Sequence, residues 1–302
     1  PERGRPPIIA RTVWGLAGFT ALALTAAAAG IWWSPALDGL PDAGWLVVNG
    51  LPVLRLVTLL AGGTMVGFAL SAVALDPGAR TKLTRVGRRD LGVAATAAFI
   101  MAGAGVLFAV FTLADVLGIG LGDLTQPGLL STYLWDVEVS RAHLISAVLA
   151  VAVGVGLAVA RSLGAAAMWL AVGLVAVGIP SLTGHAAGLG GHSLALISGF
   201  VHSISAAVWG GGVVAVTTHA LLRSPQLGER VRRFGVVAIV AVVALGLTGV
   251  ASAATLAALS SFCRSSVACW VFASTVVRRR NSGWRLRSSM KPFVPRMNVR
   301  PS

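Results

Sequence analysis

The chain of 302 residues is 56% hydrophobic and only 11% charged, with a formal net charge of +14. That composition is not one of a soluble domain, because the apolar residues gather in blocks of about twenty, the length of a helix crossing a hydrocarbon layer of roughly 30 Å. The expected fold is all-α, a polytopic transmembrane bundle of seven to eight helices: backbone groups in lipid must pair within their own segment, and these segments are too long and too uniformly apolar for barrel strands.

In chain order, a basic leader (residues 1–11, with Arg3, Arg5 and Arg11) precedes a first span near 12–33, and Asp38 and Asp42 follow it. A second span near 51–75 leads into Arg80, Lys82, Arg85, Arg88 and Arg89, and a third near 92–115 into Asp115, Asp123, Asp136 and Glu138. The fourth and fifth, near 139–160 and 163–182, are separated by Arg161; the sixth, near 195–222, is followed by Arg223, Arg230, Arg232 and Arg233, and the seventh lies near 234–257. Every second connection is basic, which by the positive-inside rule places the amino terminus in the cytoplasm and leaves residues 34–50, 116–138 and 183–194 as external loops. The positive charge thus reports topology and attraction to anionic inner-leaflet lipid, and requires no nucleic-acid partner. The first apolar block is long and lacks a convincing small-residue cleavage site, so no secretory signal is expected.

Residues 12–261 form the expected transmembrane domain. Composition changes at Phe262: from there to Ser302 the chain has nine of its 24 Lys and Arg residues, no Asp or Glu, and both cysteines, Cys263 and Cys269. An eighth helix near 262–277 is doubtful, and the remainder reads as a basic disordered tail, an aberrant continuation being one origin for it. With both thiols in that tail, the body contains no disulfide framework, CxxC pair or thiolate metal cage. No P-loop, dinucleotide-binding glycine motif or nucleophile elbow occurs, and no enzyme activity is expected. Glycine-rich runs such as "AGGTMVG" and "WGGGVV" fall inside spans, where Gly63 and Gly67 form a GxxxG pair suited to close helix packing.

Three of the five histidines fall within the stretch "TGHAAGLGGHSLALISGFVHSISAAVWGGG". His185 and His192 are placed in the external connection before the sixth span, and His202 about 12 Å below the outer boundary at 1.5 Å per residue. His143 begins the fourth span, also in the outer half. His219, seventeen residues beyond His202 and on another face, is left out of this group. A loop histidine is ordinarily a solvated side chain and a span histidine ordinarily bonds a neighbouring helix, but ionisable groups at membrane depth are functional candidates. Imidazole without thiolate suits copper better than calcium or magnesium, which want oxygen ligands, and leaves zinc and nickel open. Met65 and Met101, mid-span, are core fillers or a thioether relay. Trp209 shares a helical face with His202 two turns on. Arg55 and Arg141 lie at the outer boundary as snorkelling anchors or anion contacts, with Glu138 one turn before Arg141 as its simplest partner.

"LTGHAA", the spaced His192 and "VHSISAAVWGGGVVAV" together resemble the core pattern of the copper resistance D family, a GHA turn followed by a helix with H-x-x-x-A-A-x-W-x-G-G. Gly184, His185 and Ala186 match the first element; His202, Ala206, Ala207, Trp209, Gly211 and Gly212 match the second. The resemblance covers about residues 50–260. It implies a bacterial inner-membrane protein of about eight helices that moves copper from the outer face towards the cytoplasm, and some relatives continue into a cytochrome-oxidase-assembly domain. Expected partners are the lipid bilayer, copper, and an external copper-binding protein or oxidase assembly factors. Two readings compete with transport: a b-type cytochrome in which His143 and His202 clamp haem b while Arg55 or Arg141 holds its propionates, and a non-transporting assembly subunit.

Overall fold

Asp, Arg and Lys residues cut the hydropathy profile of this chain, but they do not end its helices. The computed structural model describes residues 43–78, 82–126, 128–183, 192–224 and 226–265, without the side chains at 131–132, 192–195 and 252–265. Helix α1 (Trp45–Leu70) passes directly into a π-helical turn, Ser71–Leu75. Helix α2 (Arg85–Leu117) starts on Thr84, whose hydroxyl accepts the Gly87 N–H at 2.9 Å, and ends on Gly118 at φ +63°, the left-handed position that glycine fills without strain. A 3-10 turn (Asp123–Thr125) and the short helix α3 (Leu129–Asp136) follow, then α4 (Glu138–Val159). Helix α5 (Leu163–Gly178) is capped by Ser162 and tightens into the 3-10 turn Ile179–Leu182; α6 (His192–Leu221) and α7 (Leu227–Ser265) complete the order.

Six of these segments are long and apolar enough to cross a membrane: Trp45–Leu75, Arg85–Leu117, Glu138–Val159, Leu163–Leu182, Leu196–Leu221 and Leu227–Ala251. They correspond to the second to seventh expected spans, and the protein is a multi-pass, all-α membrane protein. The helices α1, α2 and α7 begin earlier than hydropathy suggests, because polar and charged residues such as Asn49, Arg85, Arg88 and Arg232 lower hydropathy without interrupting the backbone ladder. The connection at 116–138, expected as a loop, is partly helical through α3, and α6 begins at His192, so that residue opens a helix instead of lying in the loop before it. The expected first span lies outside the described residues, as does the eighth beyond Ser265. Chain contacts divide the protein at Ala253, and the second unit, Ala254–Ser302, is described only by the helical residues to Ser265.

Sequential helices pack as neighbours, α1 on α2, α4 on α5 and α5 on α6, while α2 also packs on α4 and α1 on α6. The shared core is built from small residues, among them Ala94, Ala98, Ala150, Ala166 and Ala176, around Met65, Val66, Leu91, Val153 and Leu157. Lipid tails are as apolar as leucine, so close van der Waals approach and hydrogen bonds hold such a bundle. Ser140 donates to the Ala109 carbonyl at 3.0 Å and Ser146 to that of Ala176 at 2.7 Å, tying α4 to both neighbours. The tightest approach joins α1 and α6, where a Cβ on Gly67 would overlap the Gly211 carbonyl and one on Gly211 would overlap that of Gly63. The helix ends near Lys82, Arg88, Arg161 and Arg232 are called the basic end below; those near Asp115, Asp136 and Glu138 the acidic end.

Candidate functional site

At the acidic end, hydrogen bonding fixes the tautomers of two histidines. His143, on the first turns of α4, approaches the Val139 carbonyl through Nδ1 at 2.9 Å. A carbonyl only accepts, so Nδ1 carries the hydrogen, and in the neutral ring Nε2 is the nitrogen with the lone pair. The ring packs on Phe108 of α2 at a centroid distance of 4.3 Å, and Arg55 lies within coulombic reach of it. His202 sits at the bundle surface with Nδ1 3.1 Å from Thr248 Oγ1 on α7. That hydroxyl donates to the Ala244 carbonyl at 2.7 Å, so its oxygen accepts from His202 Nδ1, and in the neutral ring Nε2 is the nitrogen with the lone pair. Ser198, one turn earlier on α6, donates to the Thr248 carbonyl at 2.9 Å and holds the two helices in register around His202.

The other sequence-named residues distribute unevenly around these two. His185, with Gly184 and Ala186, lies outside the described residues, and so does the His192 side chain. Trp209 is exposed on the His202 side of α6. Met65 and Met101 are fully buried in the apolar core, where Met101 abuts Gly62 and Met65 abuts Gly173. Arg55 and Glu138 are exposed and Arg141 half-buried. The expected Glu138–Arg141 ion pair is not among those joining the described residues, which are His219–Asp90, Arg230–Asp76, Arg230–Asp90, Arg232–Glu229 and Arg233–Glu229. At a wetted surface such a pair is worth little over separate hydration, and Glu138 at the first position of α4 already faces favourable amide dipoles. Among the described residues no group of three or more His, Cys, Asp or Glu side chains converges in a way that could hold a metal ion.

The most enclosed polar cluster lies at the basic end, on residues the sequence did not single out. Asp76, Asp90, Ser71, His219 and Arg230 are all buried. They come from four places: the π turn after α1 and the residue closing it, the second turn of α2, the last turn of α6 and the first turn of α7. Ser71 opens the π turn and is buried, and π turns inside helices frequently occur at functional sites. Asp90 Oδ2 accepts from Ser71 Oγ at 2.8 Å and lies 3.0 Å from His219 Nε2. Arg230 bridges the cluster, with Nη1 3.0 Å from Ser71 Oγ and Nη2 3.3 Å from Asp76 Oδ1. Asp76 also receives the Gly78 N–H and the Thr84 hydroxyl. His219 Nδ1 lies 2.9 Å from Ser224 Oγ in the turn after α6, and Phe68 walls the ring.

One signal in the sequence pointed here: Asp76, Asp90 and Glu229 are the acidic residues that break the basic character of that end. Glu229 is spent on Arg232 and Arg233 at the rim. The two aspartates are enclosed, and enclosed carboxylates in a membrane bundle pair with one another's counter-charges or mark a functional path.

The fold and these two polar sites define a class, a multi-pass α-helical membrane protein with a buried ionisable network at one end and two histidines, His143 half-buried and His202 exposed, at the other. No protein-family model, curated protein or solved structure matches the chain.

Proposed function

We propose that the protein transports copper across a bacterial plasma membrane, capturing it at the acidic end and releasing it at the basic end. The observation that carries this reading is the fixed tautomer of His202. Metal-ligating histidines characteristically donate one ring N–H to a neighbouring oxygen, which holds the ring and leaves the other nitrogen as a basic ligand; Thr248 Oγ1 at 3.1 Å does this for His202. His143 offers Nε2 in the same state, and His185 and His192 supply the remaining capture ligands in this reading. Copper accumulation in cells expressing His202→Ala is expected to fall to the level of cells lacking the protein, with His185→Ala and His192→Ala causing partial losses. Unchanged accumulation with a stably inserted His202→Ala protein overturns the reading.

A bis-histidine b-type cytochrome is the second reading, because His143 and His202 both keep Nε2 lone pairs. It is less favoured since His143 turns to Phe108 on α2 and His202 to Thr248 on α7. A Soret band in the purified protein decides for haem.

Sidedness has its own test. Cysteines introduced at Ser131 and Ser193 are expected to react with an impermeant thiol reagent on intact cells, and one at Thr81 is not. The inverse pattern reverses the direction of transport proposed here.

A further inference from the structure

We propose that Asp90, His219 and Ser224 form a proton-binding site at the basic end, in which His219 takes up and releases one proton while the surrounding helices stay in place.

The inference starts from charge. Within the enclosed cluster Asp76 and Asp90 are two anions and Arg230 is one cation, with salt bridges of 3.3 Å to Asp76 and 3.8 Å to Asp90. A neutral His219 leaves this buried group one negative charge in excess; an imidazolium balances it. An uncompensated charge in an enclosed, low-dielectric site is strongly unfavourable, so one additional proton is the smallest species that neutralises the cluster. Charged groups facing it from each packed element are few. On the α1 side Asp76 faces it, and on α2 Asp90, while Arg85, Arg88 and Arg89 are exposed, Arg88 reaching back to the Leu83 carbonyl at 3.4 Å; in the turn after α6 the exposed Arg223 adjoins Ser224. From α7 come Arg230 and, at the rim, Arg233, which is held by Glu229 at 2.9 Å and touches the Ala74 and Asp76 carbonyls; Arg232 is turned to solvent on Glu229. The rim cations lie where water and salt screen them.

The hydrogen bonds accept either protonation state. Asp90 Oδ2 is an acceptor for His219, so Nε2 carries hydrogen in both. Neutral His219 accepts the Ser224 hydroxyl hydrogen at Nδ1; the imidazolium donates Nδ1–H to the same oxygen after the hydroxyl rotates. Ser71 is committed in both states, donating to Asp90 and accepting from Arg230 Nη1, and its oxygen is also 3.1 Å from His219 Nε2, whose hydrogen it shares with Asp90. Loading therefore moves one proton and one hydroxyl rotor. The route is short, since Ser224 is only half-buried in the turn between α6 and α7, whereas His219 and Asp90 are enclosed behind it. The proton arrives from water at Ser224, forms the Nδ1–H bond of His219, and leaves by the same bond.

The test uses the full chain in lipid nanodiscs with His143, His185, His192 and His202 all replaced by Gln, so that His219 is the sole histidine and the network is untouched. Because every candidate copper histidine is absent, the outcome is independent of the copper reading. With isotope-labelled histidine, the imidazole nitrogens are followed by NMR between pH 4 and 9. One reversible transition between the Nε2–H neutral form and the doubly protonated form is expected, and Asp90→Asn in the same background is expected to weaken proton binding roughly tenfold or more, as removal of an anion at this distance does. A His219 ring that keeps one protonation state across the whole range overturns the proposal. So does a transition that Asp90→Asn leaves unmoved. Should Asp90→Asn fail to assemble, Ser224→Ala supplies the second variant: it deletes the Nδ1 partner and is expected to displace the transition, and an undisplaced one counts against the site.

Discussion

Arg230→Met is expected to destabilise the folded bundle by about 3–5 kcal/mol, the usual cost of removing one partner from a buried ion pair. The guanidinium is the cation between two enclosed carboxylates, and it also donates to Ser71 at 3.0 Å. Methionine matches the stem but leaves both anions unneutralised. Arg230 Nε has no partner, so the loss comes from the two terminal nitrogens alone. Arg230→Lys is expected to recover little, since one ammonium cannot span Ser71 and Asp76 together as the planar fork does. Adding Asp76→Asn to Arg230→Met is expected to restore a large part of the stability: it removes one of the orphaned charges, and the Asn side-chain oxygen still accepts the Gly78 N–H. Thermal unfolding of the purified proteins in one detergent measures all four. A wild-type midpoint for Arg230→Met alone would show that the cluster contributes no net stability.

Gly67→Val is expected to cost about 3 kcal/mol or more, at or beyond the upper end for overpacking, because the obstacle is backbone and cannot rotate away. The Gly67 Cβ position coincides with the Gly211 carbonyl on α6, and the reciprocal position on Gly211 coincides with Gly63. To admit a side chain the α1–α6 crossing must open along its length, which exposes the Met65 and Val66 layer beside it. Gly92→Val is the matched control. A Cβ at this exposed position on α2 meets nothing within 4 Å, and the substitution is expected to shift stability by less than about 0.5 kcal/mol. The fraction of monodisperse protein after mild heating reads the difference. Equal behaviour of the two variants would falsify the close crossing.

The membrane class, the helical nature of the segments and the approximate position of six spans were legible in the order of residues alone. All three depend on residues taken in order along one helix: apolar length against bilayer thickness, and charge at the ends. That order also marked Gly63 and Gly67 as a packing pair, because a GxxxG spacing is local to one helix face. Helix starts were less legible, since Arg85, Arg88 and Arg89 depress hydropathy without breaking the hydrogen-bond ladder of α2. The histidine tautomers were not legible at all, because they depend on what Thr248 and Val139 offer, and a sequence does not state which hydroxyl already donates elsewhere.

The basic-end network belongs wholly to the tertiary structure. Asp90 and His219 are 129 positions apart, and Ser71 and Arg230 are 159 apart. In sequence Arg230 is one of several arginines after the sixth span, indistinguishable from Arg232 and Arg233 two and three positions on. Packing separates them: the helical turn that directs Arg232 to water directs Arg230 between α1 and α2, where two carboxylates wait. Local pattern sets which segments enter the membrane because that choice is made one helix at a time. Which charges end up enclosed together is set by the angles and contacts among four helices, and those are fixed only when the glycine crossings and alanine faces have closed.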